Sequence, residues 1–400
     1  MKITVLFFIV CFIGLPHLSV SQNVYLRYDT SLPQAKYAAQ LIEKSLLEHG
    51  YLLTGAETGY MINIAVDDKN LHSEAYSIIP DGKKITITGG NERGLIYGSL
   101  SVVEDLHNGI PLAKIKATSE SPKLPFRAIK FNLPWDAYRE GHAMDLHNET
   151  CRDVNFWREF LDMMAENRFN ALTLWNLHPF TFMIKPKNFP EASPFTEKQM
   201  KEWKDLYNNI FRMAGERGID TYIVNWNIFV SPGFSKAYNG AADSQKTRIH
   251  YGQGDTSNLI KRYTRECVTQ VLEEYPNLSG IGFTLGEAMG GMTPRQRQDW
   301  VNEAIMEGMR AANRKSKLIF RVPLSANVGS GGSTNIETEA LTRKSIESNN
   351  FIEGPVWAEI KFNWSHAHSS TNLIKVHGGK LNDTYFNPEP KNFKIAWMAR

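Results

Sequence analysis

The feature that most constrains this chain is a rhythm. Short apolar runs alternate with helix-forming stretches: "FRAIKFNL" (126–133), "NALTLWNL" (170–177), "DTYIVNWNIFV" (220–230), "SGIGFTLG" (279–286), "KLIFRVPL" (317–324), "PVWAEIKF" (355–362) and "FKIAWMA" (393–399). Runs this continuously apolar are strands buried on both faces, which implies parallel pairing with helices packed outside. A doubly wound nucleotide-binding sheet needs a glycine-rich phosphate turn after its first strand. This chain has "PWDAYREG" there and no GxxxxGK[ST] run anywhere. Polar and tryptophan residues gather instead at the C-terminal ends of the strands, the face on which barrel enzymes build active sites. The fold class read from this is α/β, a (β/α)8 TIM barrel. Seven runs are one short of eight, so the last strand and helix are expected beyond Arg400.

The stretch ahead of the barrel reads differently. "NVYLRYD" alternates, "SLPQAKYAAQLIEKSLLEHG" is helical with a glycine stop, "YMINIAV" and "KKITITGG" are short β runs, and "NERGLIYGSLSVVEDLHNG" is a second helix. Residues 22–118 are therefore read as a small α+β domain, "SESPKLP" as a linker, and 119–400 as the barrel. Residues 1–21 have a lysine near the start, an apolar core and a small-x-small end at Ser19 and Ser21, the pattern of a cleaved signal peptide. The expected location is secreted or, in a Gram-negative source, periplasmic.

Composition narrows the function classes. A net charge of +3 from nearly equal acids and bases leaves no basic stripe for a nucleic-acid backbone. After the signal no run approaches the length of a membrane span. Cys151 and Cys267 are left in the mature chain, as two buried thiols or one disulfide. Helix starts are well marked: Thr196 with Gln199, and Thr293 followed by Pro294. On the helix after Thr196, Met200, Trp203, Tyr207, Ile210 and Phe211 share one face and read as core.

The candidate site is the set of strand ends. Glu287 follows the fourth strand and precedes a glycine run, a place where a carboxylate can be half-buried and poised as a general acid; a plain loop glutamate is the alternative. Trp135 with Asp136, Trp175 with His178, and Trp226 with Asn227 lie at the ends of the first three strands, where indoles offer platforms for sugar rings or simply pack the rim. Arg321 and Lys361, ending the fifth and sixth strands, suit a carboxylate, which points to a uronic acid; pairing with barrel acids is the alternative. Glu359 falls on the same side of its strand as Lys361, as a second catalytic carboxylate or as an ion-pair partner. His366 and His368 have no third ligand at metal-binding spacing. No metal and no cofactor is expected, and the expected partner is an oligosaccharide or polysaccharide.

These motifs are similar to those of the α-glucuronidases of glycoside hydrolase family 67. The resemblance is carried by "NERGLIYGSLSVVEDL", "NLPWDAYREG", "RGIDTYIVNWNIFVSP", "YPNLSGIGFTLGEAMGG", "KLIFRVP" and "EIKFNW". It implies an inverting, exo-acting hydrolase that removes a uronic acid from plant-type polysaccharide, with Glu287 as the acid, Arg321 and Lys361 on the uronate, and Trp135 and Asp136 as the first-strand element. Where the family has an aspartate after the lysine, "KFNWSHAH" has no acid. The other basic carboxylate is expected beyond Arg400, and the 400-residue chain by itself is expected to be inactive. "GFTLG" also lacks a lysine of the family, so galacturonic acid or another acidic sugar stands beside glucuronic acid. The rivals are a hexosaminidase-like glycosidase, which wants an aspartate where Gly286 stands, a polysaccharide lyase, and a non-catalytic barrel that binds acidic glycan.

Overall fold

The computed structural model describes residues 22–67, 69–135, 141–239, 250–251, 257–285, 289, 292–321, 336–361 and 391–398. The signal segment, Asp136, Glu287, His366 and His368 lie outside the described residues, and only the backbone of Lys361 is described. The chain divides into two compact units between Ser121 and Pro122.

The first unit holds strands β1 (Asn23–Tyr28), β2 (Leu52–Leu53), β3 (Tyr60–Val66), β4 (Tyr76–Asp81), β5 (Lys84–Gly89) and β6 (Thr118–Glu120), with helices α1 (Pro33–Glu48) and α2 (Glu92–His107). They form one sheet in the order β2-β1-β3-β5-β4-β6, parallel through β5 and antiparallel beyond it. Alternation puts Ile62, Ile64, Ile85 and Ile87 in the core. Asn91 caps α2, its Oδ1 accepting from the backbone N–H of Arg93 and Gly94 at 3.0 Å each. Gly98 lets that helix lie close on the sheet, since a Cβ there would come within 2.7 Å of Ile87 Cγ2. Thr118–Glu120, of which Ser119 and Glu120 are read from the sequence as the start of the linker, is an edge strand paired with β4.

The second unit repeats strand and helix. Its elements are β7 (Ala128–Asn132), α3 (His142–Arg152), α4 (Val154–Glu166), β8 (Ala171–Asn176), α5 (Glu197–Glu216), β9 (Asp220–Asn225), β10 (Phe229–Val230), α6 (Pro232–Tyr238), β11 (His250–Tyr251), α7 (Asn258–Glu274), β12 (Gly280–Thr284), α8 (Pro294–Val301), α9 (Glu307–Ala311), β13 (Ser316–Arg321), α10 (Ile336–Glu347), β14 (Ile352–Lys361) and β15 (Phe393–Met398). A π-helical turn, Asn302–Met306, joins α8 to α9. The third expected strand is thus split: β9 stays in the main sheet, and β10 pairs with β11 in a small ribbon. Both capping boxes form, at Thr196 with Gln199 and at Thr293 with Gln296.

The seven strands β7, β8, β9, β12, β13, β14 and β15 form one parallel sheet in sequence order. Each neighbour is the next strand of the chain, the winding of a (β/α)8 barrel, with β7 and β15 as the two edges. The sheet is curled. Phe126, just before the first strand, stacks on Trp357 of the sixth with ring centroids 4.5 Å apart. Ala171, Tyr222, Val224, Ile319 and Ala396 fill the same interior cluster. In β12 the glycines make room for that filling. A Cβ on Gly282 would lie 2.6 Å from Val224 Cγ2 and 2.7 Å from Ile319 Cγ2. Cys151 and Cys267 are both free and buried.

Candidate active site

Strand alternation decides which side chains meet inside the sheet. In β8 the residues Ala171 and Trp175 belong to the interior cluster, and Trp175 is only 2% exposed at the C-terminal end of the strand. Its indole N–H donates to Thr173 Oγ1 at 2.9 Å, which fixes the ring plane. Two cations approach that ring. The Lys130 ammonium, from β7, stands 3.7 Å from the ring centroid, and the Arg321 guanidinium, from β13, stands 5.6 Å from it. Arg321 also lies 3.7 Å from a Glu359 carboxylate oxygen on β14, with their side chains 3% and 8% exposed. Register explains the meeting: Arg321 is opposite Glu359 on the neighbouring strand.

Trp175, Arg321 and Glu359 are therefore brought together, and the Arg321–Glu359 approach is the pairing with a barrel acid given above as the alternative. Lys130 was missed. Its signal was present: in "AIKFN" it alternates with Ala128 on the interior face, and a lysine at such a position is rarely there for packing. Trp226 packs against the cluster and stays partly exposed, the one of the three described strand-end tryptophans that keeps an open surface.

Other sequence candidates sit behind the rim. Trp135 is 4% exposed, wedged against Phe182, Trp203 and Tyr207, and its indole N–H donates to the Tyr207 hydroxyl at 3.2 Å. Asn227 is fully buried and donates to the Thr284 carbonyl at 2.7 Å, tying the third strand end to the fourth. His178 is buried against Phe180 and hydrogen-bonds the Tyr263 hydroxyl at 2.8 Å. In this arrangement they shape the loops and present no surface to a ligand.

Burial holds the His178 imidazole neutral and pushes its pKa from 6.5 to about 3. The unfolded chain therefore binds a proton in a range where the folded chain does not. Stability contributed by keeping His178 neutral is complete above pH 6.5 and is lost as pH falls toward 3, by ~1.4 kcal/mol per unit. Urea melts between pH 7 and pH 4 should show this slope, and His178→Gln should flatten it.

Among the described residues no group of three or more His, Cys, Asp or Glu could hold a metal ion, and no helix is long and apolar enough to cross a membrane.

Comparison with known proteins builds on this geometry. Residues 15–117 match the family described as glycosyl hydrolase family 20, domain 2. Among similar solved structures is a GH138 enzyme targeting pectin rhamnogalacturonan II, at 25% identity and TM-score 0.71 over 85% of this chain. The fold is similar to that of this glycoside hydrolase. The chain spans only 38% of the length of that GH138 enzyme. The β-N-acetylhexosaminidase from Bacteroides fragilis NCTC 9343 is similar at 13% identity and TM-score 0.55, over 85% of this chain and 70% of that one. The GH20 β-N-acetylhexosaminidase from Streptomyces coelicolor A3(2) is similar at 9% identity and TM-score 0.55, over 94% and 81%. These two likenesses speak for the fold. No curated protein sequence matches the chain. A glycosidase with this kind of N-terminal domain is thus supported, and family 67 in particular is not among the matches described.

Proposed function

We propose that the chain belongs to an exported glycoside hydrolase that cleaves O-glycosyl bonds in an acidic plant polysaccharide of the pectin kind. The observation that carries the reading is Arg321, a nearly dry guanidinium at a strand end inside the sheet, beside Glu359 and turned to the Trp175 indole. A cation at the mouth of a barrel suits the carboxylate of an acidic sugar. The likeness to a GH138 enzyme that targets a pectin supports the same class. In the reaction, Glu287 gives its proton to the glycosidic oxygen, which leaves as an alcohol. Water attacks the anomeric carbon and yields its own proton to a second carboxylate. Product stereochemistry, read by NMR of the first anomer formed, tests the inverting course that the family 67 resemblance implies.

A hexosaminidase is the second reading. The match of residues 15–117 and the GH20 structures favour it over an α-glucuronidase. Gly286, standing where that class wants an aspartate before its acid, speaks against it. The two are separated by one pair of assays on the full-length protein. Release of acidic sugar from rhamnogalacturonan II oligosaccharides, with an aryl N-acetylglucosaminide left intact, is expected. The reverse pattern would replace the proposal with the hexosaminidase, and binding without any hydrolysis would replace it with a glycan-binding barrel.

A further inference from the structure

We infer that Lys130, and not the face of Trp175, is the group that selects an acidic sugar in this barrel; the inference rests on the glycosidase reading above and names the residue that sets its charge preference. Tryptophan at a strand end suggests a stacking platform for a sugar ring. Trp175 is not available as one. Its ring is 2% exposed, and the Lys130 ammonium covers it at 3.7 Å.

The placement of Lys130 suits that role better than a structural one. It lies on β7 and is partly exposed. The cation held by Trp175 is ordered over a rigid aromatic plane, and Trp175 is itself fixed by its bond to Thr173. Near the same ring stands Arg321, whose charge is offset by Glu359 at 3.7 Å. Two cations, from separate strands of the sheet, thus converge on one indole. An interior face of low dielectric strengthens the pull of such charge on an anion. The fitting ligand is a pyranose carrying a carboxylate at C5, its carboxylate toward Lys130. A neutral sugar of the same shape gains nothing from the ammonium and has no open indole face to stack upon there.

The test is binding to the full-length protein, followed by tryptophan fluorescence and calorimetry, with methyl galacturonide, methyl galactoside and N-acetylglucosamine as probes. Lys130→Gln keeps most of the length of the side chain and, at a partly exposed position, should leave the melting temperature near wild type. Affinity for methyl galacturonide is expected to fall about 10-fold to 100-fold, the worth of a hydrogen bond to a charged group, while methyl galactoside binding is unchanged. Lys130→Arg, which restores a cation, should recover most of the loss. A wild-type protein that binds the galacturonide while Lys130→Gln binds it equally well overturns the inference and leaves the glycosidase reading standing. A wild-type protein that fails to bind the galacturonide, whether or not it takes N-acetylglucosamine, overturns both.

Discussion

Glu287→Gln in the full-length protein is expected to lower turnover of an acidic oligosaccharide by about 10²-fold to 10⁴-fold, with secondary structure and melting temperature kept. The substitution preserves shape and removes only the proton that a leaving alcohol needs. Glu287 lies outside the described residues, and the nearest described residues are Leu285 and Met289. Leu285 is 1% exposed and its backbone N–H donates to the Arg321 carbonyl at 3.4 Å. Met289 is fully buried, and its carbonyl accepts from Nε of Arg297, a dry arginine on α8, at 3.1 Å. Leaving groups separate this role from others. An aryl glycoside departs as a stabilised phenolate and needs less protonation, so its rate should fall far less than that of the natural linkage. Equal losses on both substrates would assign Glu287 to another step, and unchanged turnover on both would remove it from the chemistry.

The barrel was readable because parallel strands covered on both faces have to be continuously apolar, and each such run appears where "ALTLWN", "DTYIVN" or "KLIFR" does. Helix starts were readable because capping is local: Thr196 and Gln199 bond to each other over three residues and need nothing else. Of the β4–β5 hairpin β5 was read as "KKITITGG" and β4 was passed over, although Asp81-Gly82 marks the turn, because Pro80 and the polar neighbours dilute the apolar count of β4. In the site, position at a strand end was legible and direction was not. Trp135 and His178 stand three and two residues past their strands, where alternation no longer applies, and the loops fold the side chains back against α5 and α7 respectively. Trp175 and Arg321 are still within β8 and β13, so period two held for them. Lys130 carries no strand-end signal: it stands in the middle of β7 opposite Thr173, and its long side chain reaches diagonally to the ring of Trp175, two residues further along β8.

The second large effect concerns the Arg321–Glu359 pair. Replacing either residue alone with an apolar one, Arg321→Met or Glu359→Leu, is expected to destabilise the fold by about 3–5 kcal/mol, because the surviving charge stays in a nearly dry interior without this counter-charge. The double replacement should recover a large part of that loss. Removing both charges also removes both desolvation penalties, and the two side chains then pack beside Trp175 as ordinary interior residues. Chemical denaturation of the two single variants and the double variant gives the coupling energy directly. A near-zero coupling would mean that the 3.7 Å approach is not what holds Arg321 in place. Function should follow the opposite course to stability. The double variant, restored as a fold, has lost the guanidinium on which the proposed function rests, so its affinity for an acidic sugar should stay low while its melting temperature climbs back. A pair retained only for stability would show both quantities recovering together, and it is the separation of the two that marks Arg321 as a binding residue held in position by Glu359.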